Sequence, residues 1–361
     1  MYLYLLLNTN IKTIKNMNTK TLNYTNLNNS RNVFNRTKTI LSLLLVSILF
    51  FTSCKSDENE DEKQKPDGVA LNQRFKDNRA AAVQTFTLNG STGGTVTGEQ
   101  GTQVTFSSNS VGLNGNPITG DFTVELIEIY GKGAMVLQDK STKGKKMNGD
   151  EEALLSAGEF FINAKQNGTQ LEVLTTITIQ SKDVAPGDFE SMQVFRADDD
   201  IDGDALWEET DEDGDGQNDN AQGGERGNPN GTYVLFSVFD MSSFGWSNLD
   251  RWSNYTGQLT DLFVDVPDGF NGDNTAVYLS YDGENGLARM DIYDSTAQLF
   301  TEHYGRIPVG KEVHFIMITE IAGQVNYTIQ AATIVDGHTE VMANPQPISQ
   351  ADLTTLINNL P

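Results

Sequence analysis

The chain has 361 residues and carries 49 acidic against 25 basic side chains, a formal net charge of −24 at pH 7. Residues 1–54 hold six of those basic groups and no acid, so everything after them stands at −30. A surface this negative repels phosphate backbones and anionic lipid, which excludes nucleic acid as a partner.

The first predicted element is residues 40–51 (ILSLLLVSILFF), a mostly apolar run preceded by Arg31, Arg36 and Lys38. A basic stretch before a short apolar one is the pattern of a secretory signal. The run is too short to span a bilayer, which takes about 20 residues. A signal is usually about 15 to 30 residues long, so residues 1–53 are longer than expected, and a start at Met17 shortens them only in part. The run leads directly to Cys54, the sole cysteine.

The segment Phe51-Thr52-Ser53-Cys54 resembles the lipobox of bacterial lipoproteins, with Phe51 standing where leucine is usual. That resemblance implies that Cys54 carries lipid and becomes the N-terminus, holding the protein on the outer membrane without a spanning helix. Cys54-Lys55-Ser56-Asp57-Glu58, followed by more acids, is similar to the export signal that sends Bacteroidota lipoproteins to the exterior face; the same residues also read as a solvated spacer. Residues 54–84 are expected to be the lipidated cysteine and an acidic, flexible tether.

From residue 85 the chain is rich in Thr, Val, Gly and Asn, in short alternating runs. Phe122, Val124 and Leu126 alternate with polar neighbours, as do Phe160, Ile162 and Ala164, and Asn-Gly pairs at 89–90, 114–115 and 167–168 mark turns. These patterns predict an all-β fold: an antiparallel β-sandwich over 85–182, then a second β-rich domain over 183–361 with an acidic insert at 198–230. Strands are expected near 233–239, 261–266, 276–281, 313–319 and 325–330. A short C-terminal helix, SQADLTTLINNL (349–360), follows, with Ser349 and Asp352 forming a near capping box and Leu353, Leu356, Ile357 and Leu360 on one face.

The stretches GGTVTGEQGTQVTF (93–106), GNPITGDFTVELIEIY (115–130), MVL (135–137) and SAGEFFINAKQNGTQLEV (156–173) resemble the β-sandwich named for zonula occludens and netrin-receptor proteins, in the versions found in Bacteroidota lipoproteins. The resemblance implies a fold and no chemistry. Some animal members cut themselves at His-Phe-Ser; here His314-Phe315 is followed by Ile316 and lies outside the matching stretch, so self-cleavage does not carry over.

Two patterns carry candidate chemistry. Residues 198–219 hold twelve acids and no base. Within them Asp211, Asp213, Asp215 and Asp219 occupy positions 1, 3, 5 and 9 of a loop with Gly216 at position 6, a spacing that converges carboxylates on Ca²⁺. Asp198, Asp200, Asp202, Gly203 and Glu209 stand at positions 1, 3, 5, 6 and 12, the EF-hand spacing, without the flanking helices. Either stretch also reads as a solvated acidic insert. In GWSNLDRW (245–252), extended backbone places Trp246, Asn248, Asp250 and Trp252 on one face. Two indoles around an amide and a carboxylate could stack on and hydrogen-bond a sugar; the reading favoured, because aromatics more often pack than bind, is a pinned loop with the tryptophans in the core and Asp250 bonded to Arg251 or backbone.

His303, His314 and His338 lack ligand spacing. The sequence is therefore expected to encode an outer-membrane, surface-exposed lipoprotein, a non-enzymatic binding or structural module whose partner is polysaccharide or a surface protein. A surface-tethered carbohydrate-active enzyme is the alternative, because 49 carboxylates supply many acid pairs.

Overall fold

The computed structural model describes residues 65–182, 192–197, 203–211, 214–227, 233–302 and 305–361. Cys54, the signal and the acidic run after it lie outside the described residues, as do Asp198, Asp200, Asp202, Asp213 and His303. Residues 61–361 form one compact unit, and the expected all-β architecture is present, with helices α1 (Gly68–Ala82), α2 (Lys132–Gln138) and α3 (Gln350–Asn358) added to it.

Four main sheets bound three apolar cores. An outer sheet runs Gln222–Gly227, Tyr233–Met241, Ile177–Gln180, Gln103–Phe106, Gly94–Thr97. Facing it, a central sheet runs Gln84–Asn89, Asp121–Ile129, Glu151–Gln166, Gly245–Trp252, Gln193–Ala197, Leu206–Glu209, Lys143–Lys145. Its last strand also pairs with the start of Glu151–Gln166, so five strands close into a ring.

The first core fills the space between these sheets with residues such as Val104, Phe122, Phe160, Ile179 and Leu249. A third sheet (Leu287–Arg289, Thr275–Tyr281, Glu312–Ile321, Gln324–Thr333, Gln346–Pro347) packs with the three helices against the other face of the central one. A fourth (Ile292–Asp294, Leu299–Thr301, Leu262–Asp265, His338–Val341) closes the last core.

Double coverage explains where alternation holds and where it fades. Along Asp121–Ile129, Phe122, Val124 and Leu126 enter the first core, as their alternation predicts. Ile127 and Ile129 enter the middle core, so the strand ends buried on both faces. All seven residues of Thr275–Tyr281 are buried for the same reason, since a strand covered twice reads as a continuous apolar run.

Two expected boundaries are corrected. The division at 182/183 cuts through two sheets: Ile177–Gln180 pairs with Val238–Met241, and Glu151–Gln166 pairs with Gly245–Trp252. Strands between residues 193 and 252 therefore complete the first sandwich, and the second begins near residue 259.

Residues 68–82, expected as the last part of the tether, form α1 instead. Asp67 caps this helix by accepting from the Ala70 N–H (3.0 Å). Leu71, Phe75 and Arg79, four residues apart, form its buried face. Pro66 bridges to Ile321, and Arg74 holds Glu320 through two 2.6 Å hydrogen bonds.

The C-terminal helix starts as predicted, Ser349 Oγ accepting from the Asp352 N–H (3.1 Å). Leu353 and Ile357 are buried, whereas Leu356 faces solvent at 38 % exposure.

If α1 belongs to the folded body, Phe75→Ala costs about 3 to 5 kcal/mol in denaturant unfolding. Val69→Ala, at an 83 % exposed site, stays within about 0.5 kcal/mol. Equal effects at the two sites would return the helix to the tether.

Candidate functional site

GWSNLDRW forms the strand Gly245–Trp252 in the middle of the central sheet. Its four alternating residues do share a face, and that face is covered: Trp246 and Trp252 lie in the middle core, and Asn248 and Asp250 are 0 % exposed. Trp246 packs on Phe161 and Trp207, with centroids 5.4 and 6.3 Å apart, and Trp252 meets Phe195 at 5.3 Å. The solvent-facing platform is therefore replaced by a packed strand, because the third sheet and the helices occupy the side on which a ligand would lie.

What the sequence did not reveal is the polar cluster inside that core. A bulge between Leu249 and Asp250 shifts the pairing with Glu151–Gln166. Opposite it, Gly158 sits at φ +144°, where a Cβ would stand 2.6 Å from the Tyr130 ring. Asn248 Nδ2 donates to Asp250 Oδ2 (2.6 Å), Ser156 Oγ donates to Asn248 Oδ1 (3.2 Å), and the Gly158 N–H donates to Ser156 Oγ (3.1 Å).

Glu159, across the ladder from Asn248, is 0 % exposed, and neither of its carboxyl oxygens has a hydrogen-bond partner among the described residues. Burial pushes the Asp250 carboxyl up to about 8. Burial, reinforced by Asp250, pushes Glu159 well above the carboxylate range. Lys140, whose ammonium donates to the Gly203 carbonyl and lies 5.0 Å from the Trp246 ring centroid, is driven down to about 8 by burial. The two carboxyls thus stay largely protonated and neutral at pH 7, the cheaper solution where an isolated charge has no water, while Lys140 remains mostly charged.

A neighbouring set joins the layers. Asp139, at the C-terminus of α2 with φ 53°, accepts from Arg289 (2.6 Å) and from the Tyr278 hydroxyl (2.6 Å) of the third sheet. Lys143 reaches Asp291 at 2.6 Å and Asp204 at 4.0 Å.

The acidic loop connects Leu206–Glu209 to the bridge between Asn220 and Gln193. Gly214 and Gly216 adopt φ +76° and +81°, the left-handed turn expected of the glycine at position 6. Asp211 Oδ2 accepts from the Gly216 N–H (3.1 Å) and Asp215 Oδ1 from the Gln217 N–H (2.8 Å). Asp219 lines a depression of roughly 540 Å³ with Thr176, Val194, Asn220 and Asp240. Among the described residues no three acidic or histidine side chains converge as a metal would require. Glu209 is committed elsewhere, its oxygens accepting from the Trp252 indole (2.9 Å) and the Met147 N–H (2.8 Å).

His314 Nδ1 contacts Asp282 Oδ1 at 2.7 Å, and His314 pairs across the ladder with Ser280. The residue types are those of a hydrolytic triad. Ser280, however, is 0 % exposed and its hydroxyl has no hydrogen-bond partner among the described residues, so this face packs rather than presents a nucleophile. His338 contacts Glu340 at 3.2 Å and stacks on Phe315.

The buried acids fix the sign of a pH effect. Asp250 keeps its proton in the fold up to about 8 and loses it near 4 when unfolded. The stabilisation is full below about pH 4 and is lost as pH rises towards 8, with a slope near 1.4 kcal/mol per pH unit from this group. Lys140 titrates at the upper end of that window. Denaturant midpoints measured from pH 4.5 to 7.5 should therefore fall, and Asp250→Asn should flatten the decline; parallel curves for the two proteins would mean that Asp250 is ionised in the fold.

No protein-family model matches the chain and no curated protein matches it, so the sites above stand on their own geometry.

Proposed function

We propose that the chain is a lipoprotein held on the outer membrane through Cys54, displayed at the cell exterior, and working as a non-enzymatic binding or structural module. The resemblance of residues 51–58 to a lipoprotein export signal, and of residues 85–182 to the zonula occludens and netrin-receptor sandwich, supports this reading. Its main support in the fold is the use made of the reactive side chains. Glu159, Asp250 and Ser280 are 0 % exposed, and Asp139 is tied to Arg289 and Tyr278, so the first three are shut away inside the packing and the last joins the layers, where a catalyst would expose them to substrate.

Calcium at Asp211, Asp213, Asp215 and Asp219 is part of the same proposal. The left-handed turns at Gly214 and Gly216 support it, because they curl the acidic segment as an ion-binding loop requires.

Four outcomes follow. Cys54→Ser moves the protein from the detergent phase to the aqueous phase, since one lipidated cysteine is the anchor; retention in detergent refutes the anchor. Proteinase added to intact cells removes the folded part, and incubation with glycans yields no product by mass spectrometry. A released fragment would establish the carbohydrate-active enzyme instead. Calcium at a few millimolar raises the melting temperature, and Asp213→Ala with Asp215→Ala abolishes the rise; an unshifted melt leaves the loop a solvated insert.

A further inference from the structure

The second sandwich has a depression of roughly 520 Å³ lined by Asn271, Asp273, Asp291, Tyr293, Ser295 and Gln298. It lies where the loop before Thr275–Tyr281 meets the hairpin of Ile292–Asp294 and Leu299–Thr301. Both walls are held firmly. On the loop, the Asp273 N–H donates to Asn271 Oδ1 (2.9 Å), the Asn271 N–H to Asn274 Oδ1 (3.0 Å), and Thr319 Oγ1 to the Asn274 carbonyl (2.7 Å).

Gly272 permits the loop to approach the hairpin, for a Cβ there would stand 2.7 Å from that of Tyr293. On the hairpin, Asp294 Oδ1 accepts from the Thr296 and Ala297 N–H groups (2.7 and 3.0 Å), and the Gln298 N–H donates to the Asp294 carbonyl (2.7 Å). The Tyr293 ring packs on Phe300 with centroids 4.9 Å apart.

The polar groups around this opening are unspent. The Tyr293 and Ser295 hydroxyls, the Gln298 carboxamide, the Asp273 carboxylate and Asn271 Nδ2 take part in no hydrogen bond among the described residues, although their backbones are fixed. Asp291, in its lining, is bound by Lys143 at 2.6 Å, which also reaches Asp204 at 4.0 Å. An anionic ligand would meet Asp273 and Asp291 and be repelled. A half-exposed aromatic ring flanked by a carboxylate, two carboxamides and hydroxyls suits a ligand with an apolar C–H face and a rim of hydroxyls.

We propose that this depression is a binding site for a neutral saccharide, with Tyr293 beneath the sugar ring and Asp273, Asn271 and Gln298 bonded to its hydroxyls. The proposal rests on the binding-module reading and names its ligand class. Rigid walls reduce the ordering cost that makes weak polar sites fail.

The full chain in detergent, titrated against immobilised neutral hexose and N-acetylhexosamine oligosaccharides, tests it. Tyr293→Ala should weaken retention roughly three- to tenfold, the worth of an aromatic stack. Asp273→Asn should weaken it roughly tenfold, the worth of a hydrogen bond to a charged group. Tyr293→Phe, which keeps the ring, should stay within about threefold of the parent. Melting curves that match the parent's establish that each variant is folded. Equal retention by Tyr293→Ala, Asp273→Asn and the parent overturns this site and leaves the binding-module reading intact. Failure of the parent to retain any neutral oligosaccharide overturns the saccharide proposal, while the product assay above decides separately between module and enzyme.

Discussion

A sheet with apolar cores against both faces has no wet side on which to leave a charge, and the central sheet of this protein is such a layer. Its strand Gly245–Trp252 nevertheless carries an asparagine and an aspartate inward, with a glutamate opposite. Three consequences follow from that one constraint. The carboxyls retain protons well above their ordinary range, the lysine beside them loses its proton early, and the indoles on either side become packing rather than recognition surfaces.

The same constraint shapes the join between the two sandwiches. A buried ion pair has to recover the cost of leaving water through close, saturated geometry. Asp139 meets that condition with two hydrogen-bonding partners on the third sheet, Arg289 and Tyr278. Truncating Arg289 would leave Asp139 charged and dry, a heavier loss than removing the pair together. Directional contacts of this kind set the register of one layer on another more sharply than the apolar residues around them, which tolerate exchange of similar volumes.

How much of this was legible depended on whether the signal was local. Alternation at Phe122, Val124 and Leu126 located a strand, Ser349 with Asp352 located the start of α3, and the inward face shared by Trp246, Asn248, Asp250 and Trp252 followed from extended geometry. That the tryptophans pack in a core was one of the two readings of that face; what covers it was not legible, because the third sheet that supplies the cover comes from residues 275 onwards. The domain boundary failed likewise: residues 177–180 find their partners at 238–241, beyond an acidic stretch that resembles a linker. For α1 a signal was present, Asp67 as cap with Leu71 and Phe75 four apart, but the surrounding charges outweighed it. The surroundings of Tyr293 form no motif, since close approach at Gly272 assembles them from separate turns.

The docking of α1 has a consequence for the order of events during synthesis. Arg74 and its partner Glu320 are separated by 246 residues, so the helix leaves the ribosome long before the strand that receives it exists. The Leu137 and Gln138 carbonyls, which accept from Asn78 and Arg79 at 2.7 Å, follow after only 59 residues and give the helix a first hold. Closing the longer loop costs entropy that the finished third sheet repays. The earliest part of the folded body to emerge is therefore fully secured only when its final strands arrive.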